Sequence, residues 1–254
     1  MKCLLGIRPS CEKGIHLGHL LGVLYQCKDS QNFTILIADL YEQANYQHLF
    51  ISQIRKILPK AEIIMQSHHR EDIFRIQNSL SQIVPVSHLE RMTQYKSKKE
   101  NGNTTVSLLT YPLMMTADLM IFCQDKLVVI GKDQFQHIEY ANDFIKKFNK
   151  TYGAELCYAK IHIKESNPIT IMDLKDPLKK MSKSNVDIGT LYLTDETDVI
   201  REKITKATTT KEGLENLKTI YKLLTQQEPV FKLNSELKNS LIDVILQFKN
   251  ETRI

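Results

Sequence analysis

Two histidines three residues apart follow the first apolar run of the chain. The segment His16-Leu17-Gly18-His19 comes after a loop, and its spacing predicts the start of a helix. The free N–H groups and partial positive charge of a helix N-terminus suit a phosphate group. Gly18 has no side chain, so a flat ring can lie against the backbone there. The segment therefore indicates nucleotide binding, while two surface histidines near a turn stay the alternative.

Two lysines with the same spacing stand in a second motif, Lys180-Met181-Ser182-Lys183-Ser184, roughly 160 residues later. Two ammonium groups on a polar loop can close on a polyphosphate and stabilise the charge that grows on a leaving pyrophosphate. Five residues alone are weakly specific, but the order of the two motifs strengthens the interpretation. Because no G-x-G-x-x-G follows the first strand and no G-x-x-x-x-G-K-[ST] occurs, a dinucleotide oxidoreductase is excluded.

The elements that position these motifs alternate between strand and helix. Apolar runs at residues 3–7, 33–39 and 62–65 have the length and composition of buried strands. Helical spacing occupies residues 16–27 and 47–58 between them. Strands that alternate with helices over short connections predict a doubly wound, Rossmann-like α/β fold with a parallel sheet.

The second half of the chain adds helices to this sheet. Val106–Phe122 is a long apolar helix candidate, and Pro112 lies deep inside it, where a break or kink can occur. Further strands are predicted at residues 126–130 and 157–163, and further helices at 133–149, 195–207, 213–225 and 235–249. We therefore expect a catalytic domain over residues 1–190, with a helical insertion at 83–122, and a short helical region over 191–254.

Composition limits the class of protein. The formal net charge of +5 is compatible with a polyanionic partner. No run approaches the ~20 apolar residues of a membrane-spanning helix, so we expect no membrane association. The first residues are broken too early by Gly6 and Pro9 for a signal peptide, which predicts a cytoplasmic protein.

From Gly6 to about residue 250 the chain resembles the tryptophan branch of the class I aminoacyl-tRNA synthetases. The two motifs are similar to that class's HIGH and KMSKS signatures, here H-L-G-H and K-M-S-K-S. Five ordered blocks also resemble the branch: G-I-R-P-S from Gly6, E-R-M-T-Q-Y-K from Glu90, Y-P-L-M-M-T-A-D from Tyr111, G-K-D-Q-F-Q-H from Gly131, and Asp176-Pro177.

The resemblance implies ligation of tryptophan to its tRNA, through an adenylate formed from ATP. ATP would enter as its Mg2+ complex, without a metal bound by the protein, and residues 83–122 would form a homodimer interface. Catalytic roles would fall on His16, His19, Lys180 and Lys183. ATP would contact these four and Arg8, Gly18, Gly131, Asp133, Met181 and Ser182. Tryptophan would contact Leu4, Tyr41, Tyr111, Met115, Asp118, Val129, Ile130 and Gln134.

Among these, the resemblance assigns the acceptor of the indole N–H to Asp118. An unpaired carboxylate in an apolar helix is costly, so a partner is expected there. A nearby arginine or a helix cap is the alternative partner. The sequence departs from the branch at Arg8, where a glutamine is usual, and at Tyr41, where bacterial members carry a histidine.

Three alternatives stay open. A tyrosine-type synthetase shares the fold and both signatures. The members of the branch continue beyond residues 206–208 with a longer helical domain, whereas this chain stops at Ile254. A shortened paralogue that forms the adenylate without charging its usual tRNA is therefore the second alternative, and a non-catalytic RNA-binding protein is the third.

Overall fold

The structure is a computed structural model that describes residues 2–25, 32–40, 46–100, 102, 104–124, 126–130, 134–154, 169–182 and 189–254. The chain divides into two compact units whose segments alternate along the sequence. Unit 1 comprises Met1–Arg8, Ser30–Ala44 and Ala61–Glu165, and unit 2 comprises Pro9–Asp29, Asn45–Lys60 and Ser166–Ile254. The expected domain boundary at residue 190 is not one of these unit boundaries, and it stays a prediction.

The helices and strands occur in the predicted order. The strands are β1 Lys2–Ile7, β2 Asn32–Ile37, β3 Glu62–Met65 and β4 Lys126–Val128. The described helices are α1 Leu17–His19, α2 Gln47–Ile57, α3 Arg70–Ile83, α4 Val86–Leu89, α5 Thr93–Glu100, α6 Val106–Phe122, α7 Phe135–Tyr152, α8 Thr197–Thr205, α9 Lys211–Thr225 and α10 Asn234–Thr252. No helix within those ranges is both long and apolar enough to cross a membrane.

Unit 1 contains a parallel sheet with the strand order β3-β2-β1-β4. Leu4 in β1 pairs with Thr34 in β2 and with Val128 in β4. The parallel α/β sheet that the sequence predicts is thereby confirmed. Since parallel strands end at the same edge, residues that follow β1, β2, β3 and β4 emerge at the edge where α/β proteins bind ligands.

The long helix α6 crosses unit 1 without a break. Thr105 caps its start by accepting a hydrogen bond from the N–H of Leu108 at 3.1 Å. The break that Pro112 could cause does not occur, and the helix runs through the buried Pro112 beside apolar side chains of α3, α4, α6 and α7 and of Val84 after α3. Those side chains form a cluster of Leu80, Val84, Leu89, Leu113, Met120, Phe144 and Ile145.

Unit 2 begins with a short helical segment. The helix predicted from His16 instead begins at Leu17, and it widens to a π-helix over Leu20–Leu24. The main chain just before it runs antiparallel to a later segment, with Leu17 N–H donating to Leu191 at 2.9 Å and Leu193 N–H donating to Ile15 at 2.9 Å. The strand predicted at residues 157–163 lies outside the described residues.

Candidate functional site

Three side chains on α6 form a stripe that is only partly buried. Tyr111, Met115 and Asp118 are the partly exposed residues between positions 111 and 120, and the other positions of that stretch are buried. Their spacing of four and then three residues places them on one face of the helix. The resemblance assigned all three to the amino acid, and the structure places them on one partly exposed face between buried positions of α6.

Apolar residues from the sheet pack beside this stripe. Leu4 of β1 is buried in a cluster with Ala117 of α6, and Met115 and Ile130 pack against the same cluster. Val129 follows β4, and its N–H donates to the carbonyl oxygen of Leu4 at 2.8 Å. The structure thus brings three of the predicted ring contacts, Leu4, Met115 and Ile130, into one apolar cluster in unit 1.

Asp118 accepts hydrogen bonds from a residue that the sequence did not single out. The Nε2 of Gln66 donates to both carboxylate oxygens of Asp118, at 2.9 and 2.8 Å. Among the described residues, this neutral amide is its hydrogen-bonding partner. Burial of the carboxyl group raises the pKa of Asp118 to about 7, and the hydrogen bond from Gln66 lowers it in part. The site therefore holds a carboxylate whose charge state changes near neutral pH.

The amide of Gln66 is itself fixed from the opposite side. Gln66 is buried at the carboxyl end of β3, and its Oε1 accepts a hydrogen bond from the N–H of Leu40 at 3.0 Å. The next residue, Ser67, donates from its N–H and its hydroxyl to Asp39 at 2.8 and 2.7 Å. One sequence signal could have found Gln66: it is the first polar side chain after a parallel strand, at the ligand-binding edge.

Helix α7 contributes the remaining described residues of this group. Gln134, predicted to hold the substrate amino group, is the residue before the first turn of α7. His137, in that first turn, is buried and packs edge-on against the ring of Tyr111, with 5.9 Å between centroids. This contact fixes the ring of a predicted substrate-binding tyrosine, and no role had been predicted for His137.

In unit 2, His16 is the N-cap of α1 rather than its first helical residue. Its Nδ1 accepts a hydrogen bond from the N–H of His19 at 3.3 Å, and the two imidazole rings stack with centroids 3.9 Å apart. The spacing of three residues would place both rings on one helix face, but their proximity comes instead from capping and stacking.

Gly18, in the first signature, lies close to Met181 of the second signature. A Cβ atom at Gly18 would stand 2.9 Å from the His16 ring and 3.4 Å from the Cβ of Met181. Met181 is almost fully buried, and its N–H donates to Ile171 at 2.9 Å. The histidine segment and the start of the lysine motif therefore pack together in unit 2, and a side chain at position 18 would disturb that packing.

Both ends of the lysine loop are tied to unit 2. Lys180 is exposed and its main chain bridges to Met172, which leaves the ammonium group accessible. After the loop, the hydroxyl of Thr190 donates to the carbonyl of Ser182 at 2.8 Å. Lys183 lies outside the described residues, so its predicted role stays a prediction.

A buried ion pair lies next to the end of this loop, and sequence reasoning missed it. The Nζ of Lys203 on α8 lies 2.6 Å from Asp195, and it donates to the carbonyl of Thr190 at 2.7 Å. Asp195 also accepts from the N–H of Tyr192 at 2.8 Å, and the Tyr192 ring meets His16 edge-on at 6.0 Å. Burial raises the pKa of the Tyr192 phenol above its usual range. The pair thus anchors the segment around Tyr192 that contacts the first signature.

The remaining predicted residues are Tyr41, Gly131, Asp133 and Arg8. Tyr41, Gly131 and Asp133 lie outside the described residues. Arg8 directly follows β1 in unit 1 and is partly buried.

Comparison with known proteins shows the family to which the chain is similar. A family model described as tRNA synthetases class I (W and Y) matches residues 1–252. The tryptophan–tRNA ligase of Mycoplasma genitalium is 32% identical over 276 residues, which cover 95% of this chain and 78% of that protein.

Two solved structures share the fold. Tryptophanyl-tRNA synthetase from Mycoplasma pneumoniae aligns with a TM-score of 0.82 and 28% identity, over 100% of this chain and 87% of that one. The synthetase for tryptophan from Campylobacter jejuni, crystallised with ADP and tryptophan, aligns with a TM-score of 0.78 and 23% identity, over 100% and 87% of the two chains.

Proposed function

The chain belongs to the class I tRNA synthetases for tryptophan and tyrosine, and we propose that its two units divide the work of the tryptophan reaction. That reaction is the ATP-dependent ligation of tryptophan to its tRNA through a tryptophanyl adenylate. In the proposal, unit 1 selects the amino acid and unit 2 binds the phosphates of ATP.

Selection of tryptophan rests on one observation: Asp118 is a partly exposed residue of α6, and its carboxyl group is buried in an apolar surrounding. An indole ring needs apolar contacts and one hydrogen-bond acceptor for its N–H. Leu4, Met115 and Ile130 supply the apolar contacts, and Asp118 is the acceptor. Val129 is proposed as a further ring contact.

The polar groups of the amino acid have separate partners in the proposal. Tyr111 and Gln134 bind the substrate's α-amino group. Tyr41 is a further contact to the amino acid, carried over from the sequence.

Activation of tryptophan is proposed to depend on unit 2. The tryptophan carboxylate attacks the α-phosphate of ATP, which enters as its Mg2+ complex, and pyrophosphate leaves. His16, His19, Lys180 and Lys183 stabilise the phosphate charge as it grows, which is catalysis by positioning and electrostatics. Gly18, Met181 and Ser182 shape the nucleotide site in unit 2. Arg8, Gly131 and Asp133 belong to unit 1, and their contacts to ATP are carried over from the sequence.

Transfer follows activation. The 2′-OH of the terminal ribose of tRNA attacks the carbonyl carbon of the adenylate, and AMP leaves. This mechanism needs no covalent intermediate on the enzyme. ATP, tryptophan and tRNA meet in the cytoplasm, which the proposal takes as the place of the reaction.

A homodimer is also part of the proposal. Val86 on α4 and Val106 on α6 are apolar side chains with 58% and 78% exposure, and both lie in the segment predicted as the interface. Exposed apolar residues of this kind mark contact surfaces when they cluster. Sedimentation equilibrium gives the test, with twice the chain mass expected.

One experiment decides the function. Pyrophosphate exchange is measured with each of the twenty amino acids, and total tRNA is then charged. Exchange and charging with tryptophan alone are expected. A preference for tyrosine would establish the tyrosine-type alternative. Exchange with tryptophan but no charging would establish the paralogue that stops at the adenylate, and no exchange with any amino acid would contradict an enzyme.

A further inference from the structure

We propose that Gln66 is a specificity-determining residue: its side-chain amide holds the Asp118 carboxylate as an acceptor for the indole N–H and thereby favours tryptophan over tyrosine. This inference rests on the proposed role of unit 1. Gln66 acts through Asp118, so it is a positioning residue rather than a catalytic one.

The orientation of the Gln66 amide is set by the main chain. Its Oε1 accepts the N–H of Leu40 at 3.0 Å, so its Nε2 is the end that meets Asp118. A flipped amide would lose the bond from Leu40 and would place an oxygen against a carboxylate. With 1% of its surface exposed, Gln66 has little contact with water that could replace either bond.

The charge state of Asp118 decides which ring the pocket can bind. A carboxylate only accepts hydrogen bonds, whereas a protonated carboxyl group can also donate one. An indole N–H is only a donor, so it gains the stronger, charge-assisted hydrogen bond from the ionised form. A phenol both donates and accepts, so tyrosine can bind either form. Keeping Asp118 ionised therefore favours tryptophan.

The hydrogen bond from Gln66 opposes the effect of burial on this charge. Burial raises the pKa of Asp118, the hydrogen bond from Gln66 lowers it, and the net value is about 7. Other titratable groups stand on the neighbouring elements. His69 packs edge-on against Phe122 at 5.0 Å, His137 packs against Tyr111 at 5.9 Å, and Asp39 accepts from Ser67. The direct hydrogen bonds to Asp118 in the described part of the chain come from Gln66.

The pH profile of amino-acid activation tests this role. kcat/KM for tryptophan and for tyrosine is measured by pyrophosphate exchange from pH 5.5 to pH 9 in the wild type and in Gln66→Leu. In the wild type the tryptophan value falls as the pH drops through about 7. Without the Nε2 donor, this acid limb moves to higher pH. At pH 7 the tryptophan-to-tyrosine ratio falls about 10-fold or more, as expected for loss of a hydrogen bond to a charged group.

Two further variants separate positioning from structure. Gln66→Glu keeps an oxygen for the N–H of Leu40 but places a second carboxyl group beside Asp118, so its limb also moves to higher pH. It decides the question if Gln66→Leu does not fold. Gln53→Leu is the matched control, because Gln53 is also buried and its Oε1 accepts the N–H of Ile15 at 2.9 Å in unit 2. Its acid limb and its ratio stay at the wild-type values.

The outcomes are distinguishable. If the folded Gln66 variants lose activity equally at all pH values and for both amino acids, Gln66 is only structural and the inference is wrong. If the Gln53 variant shows the same limb shift, the inference is also wrong. A wild type that does not activate tryptophan contradicts the proposed function itself.

Discussion

The two units each bury a carboxylate, and they treat its charge in opposite ways. In unit 2, Asp195 lies 2.6 Å from the ammonium group of Lys203, and both side chains are almost fully buried. In unit 1, the described partner of Asp118 is the neutral amide of Gln66, and burial raises the pKa of Asp118 to about 7. The charge of Asp195 is compensated within the protein by Lys203, so it needs no ligand. Asp118 keeps acceptor capacity that a ligand can use.

The proposal makes Asp195 a structural carboxylate and Asp118 a functional one. The Asp195–Lys203 pair connects the end of the lysine loop to α8, so its value lies in holding a segment in place. Asp118 stands in a stripe with Tyr111 and Met115, where partial exposure leaves access for a ring. An uncompensated buried charge on a partly exposed residue is a better guide to function than burial alone. Three variants test this comparison.

The largest effect is expected from Lys203→Met. Removing one partner of a buried ion pair leaves the other charge uncompensated, which costs about 3–5 kcal/mol. Urea denaturation measures the loss of the free energy of unfolding. Lys206→Met is the matched control: it removes an exposed pair with Glu202 on the same helix, and we expect little change. Equal losses in the two variants would show that Asp195 is not held as a buried charge.

Lys180→Ala is expected to act on rate rather than on stability. Loss of one preorganised donor to developing phosphate charge lowers the rate constant ~10²–10³-fold. Pre-steady-state adenylate formation measures that rate, and equilibrium dialysis with tryptophan should show unchanged binding. The control is Lys179→Ala, because Lys179 is equally exposed but paired with Asp176 at 2.9 Å. A defect confined to tryptophan binding would remove Lys180 from the phosphate chemistry.

Asp118→Ala is expected to have the smallest effect of the three, confined to the choice of amino acid. Losing a hydrogen bond to a charged acceptor costs about 1.5–3 kcal/mol in kcat/KM for tryptophan. Discrimination against tyrosine and phenylalanine should fall with it. Asp143→Ala, an exposed carboxylate on α7, serves as the control. Unchanged selectivity in Asp118→Ala would make Asp118 a structural carboxylate like Asp195, and the comparison would fail.

Local sequence patterns predicted the elements well. The bounds predicted for α6 and β3 are those observed, because a long apolar run and a short one between turns leave few other conformations. The helical period then places Tyr111, Met115 and Asp118 on one face without any knowledge of the fold. The residues that could be assigned from the sequence are therefore those whose neighbours are close in the chain.

Pairings across the fold were not accessible in the same way. Gln66 and Asp118 are 52 residues apart, and no local pattern relates a residue after β3 to a position on α6. Lys203 left a weak signal, since it shares the apolar face of α8 with Ile200 and Ile204. A lysine at such a position requires a buried partner, but which carboxylate serves depends on how the chain returns after Thr190.

The antiparallel pairing at the first signature also constrains the order in which parts of the chain can fold. Ile15 and Leu17 find their hydrogen-bond partners in Leu193 and Leu191, more than 170 residues later in the chain. At ~5–20 residues per second of synthesis, a ribosome needs on the order of 10 to 30 s to supply them. During this interval the histidine segment lacks these hydrogen-bond partners. Unit 2, to which the proposal assigns ATP, is thus among the last parts to be completed, although its first residues are made almost at once.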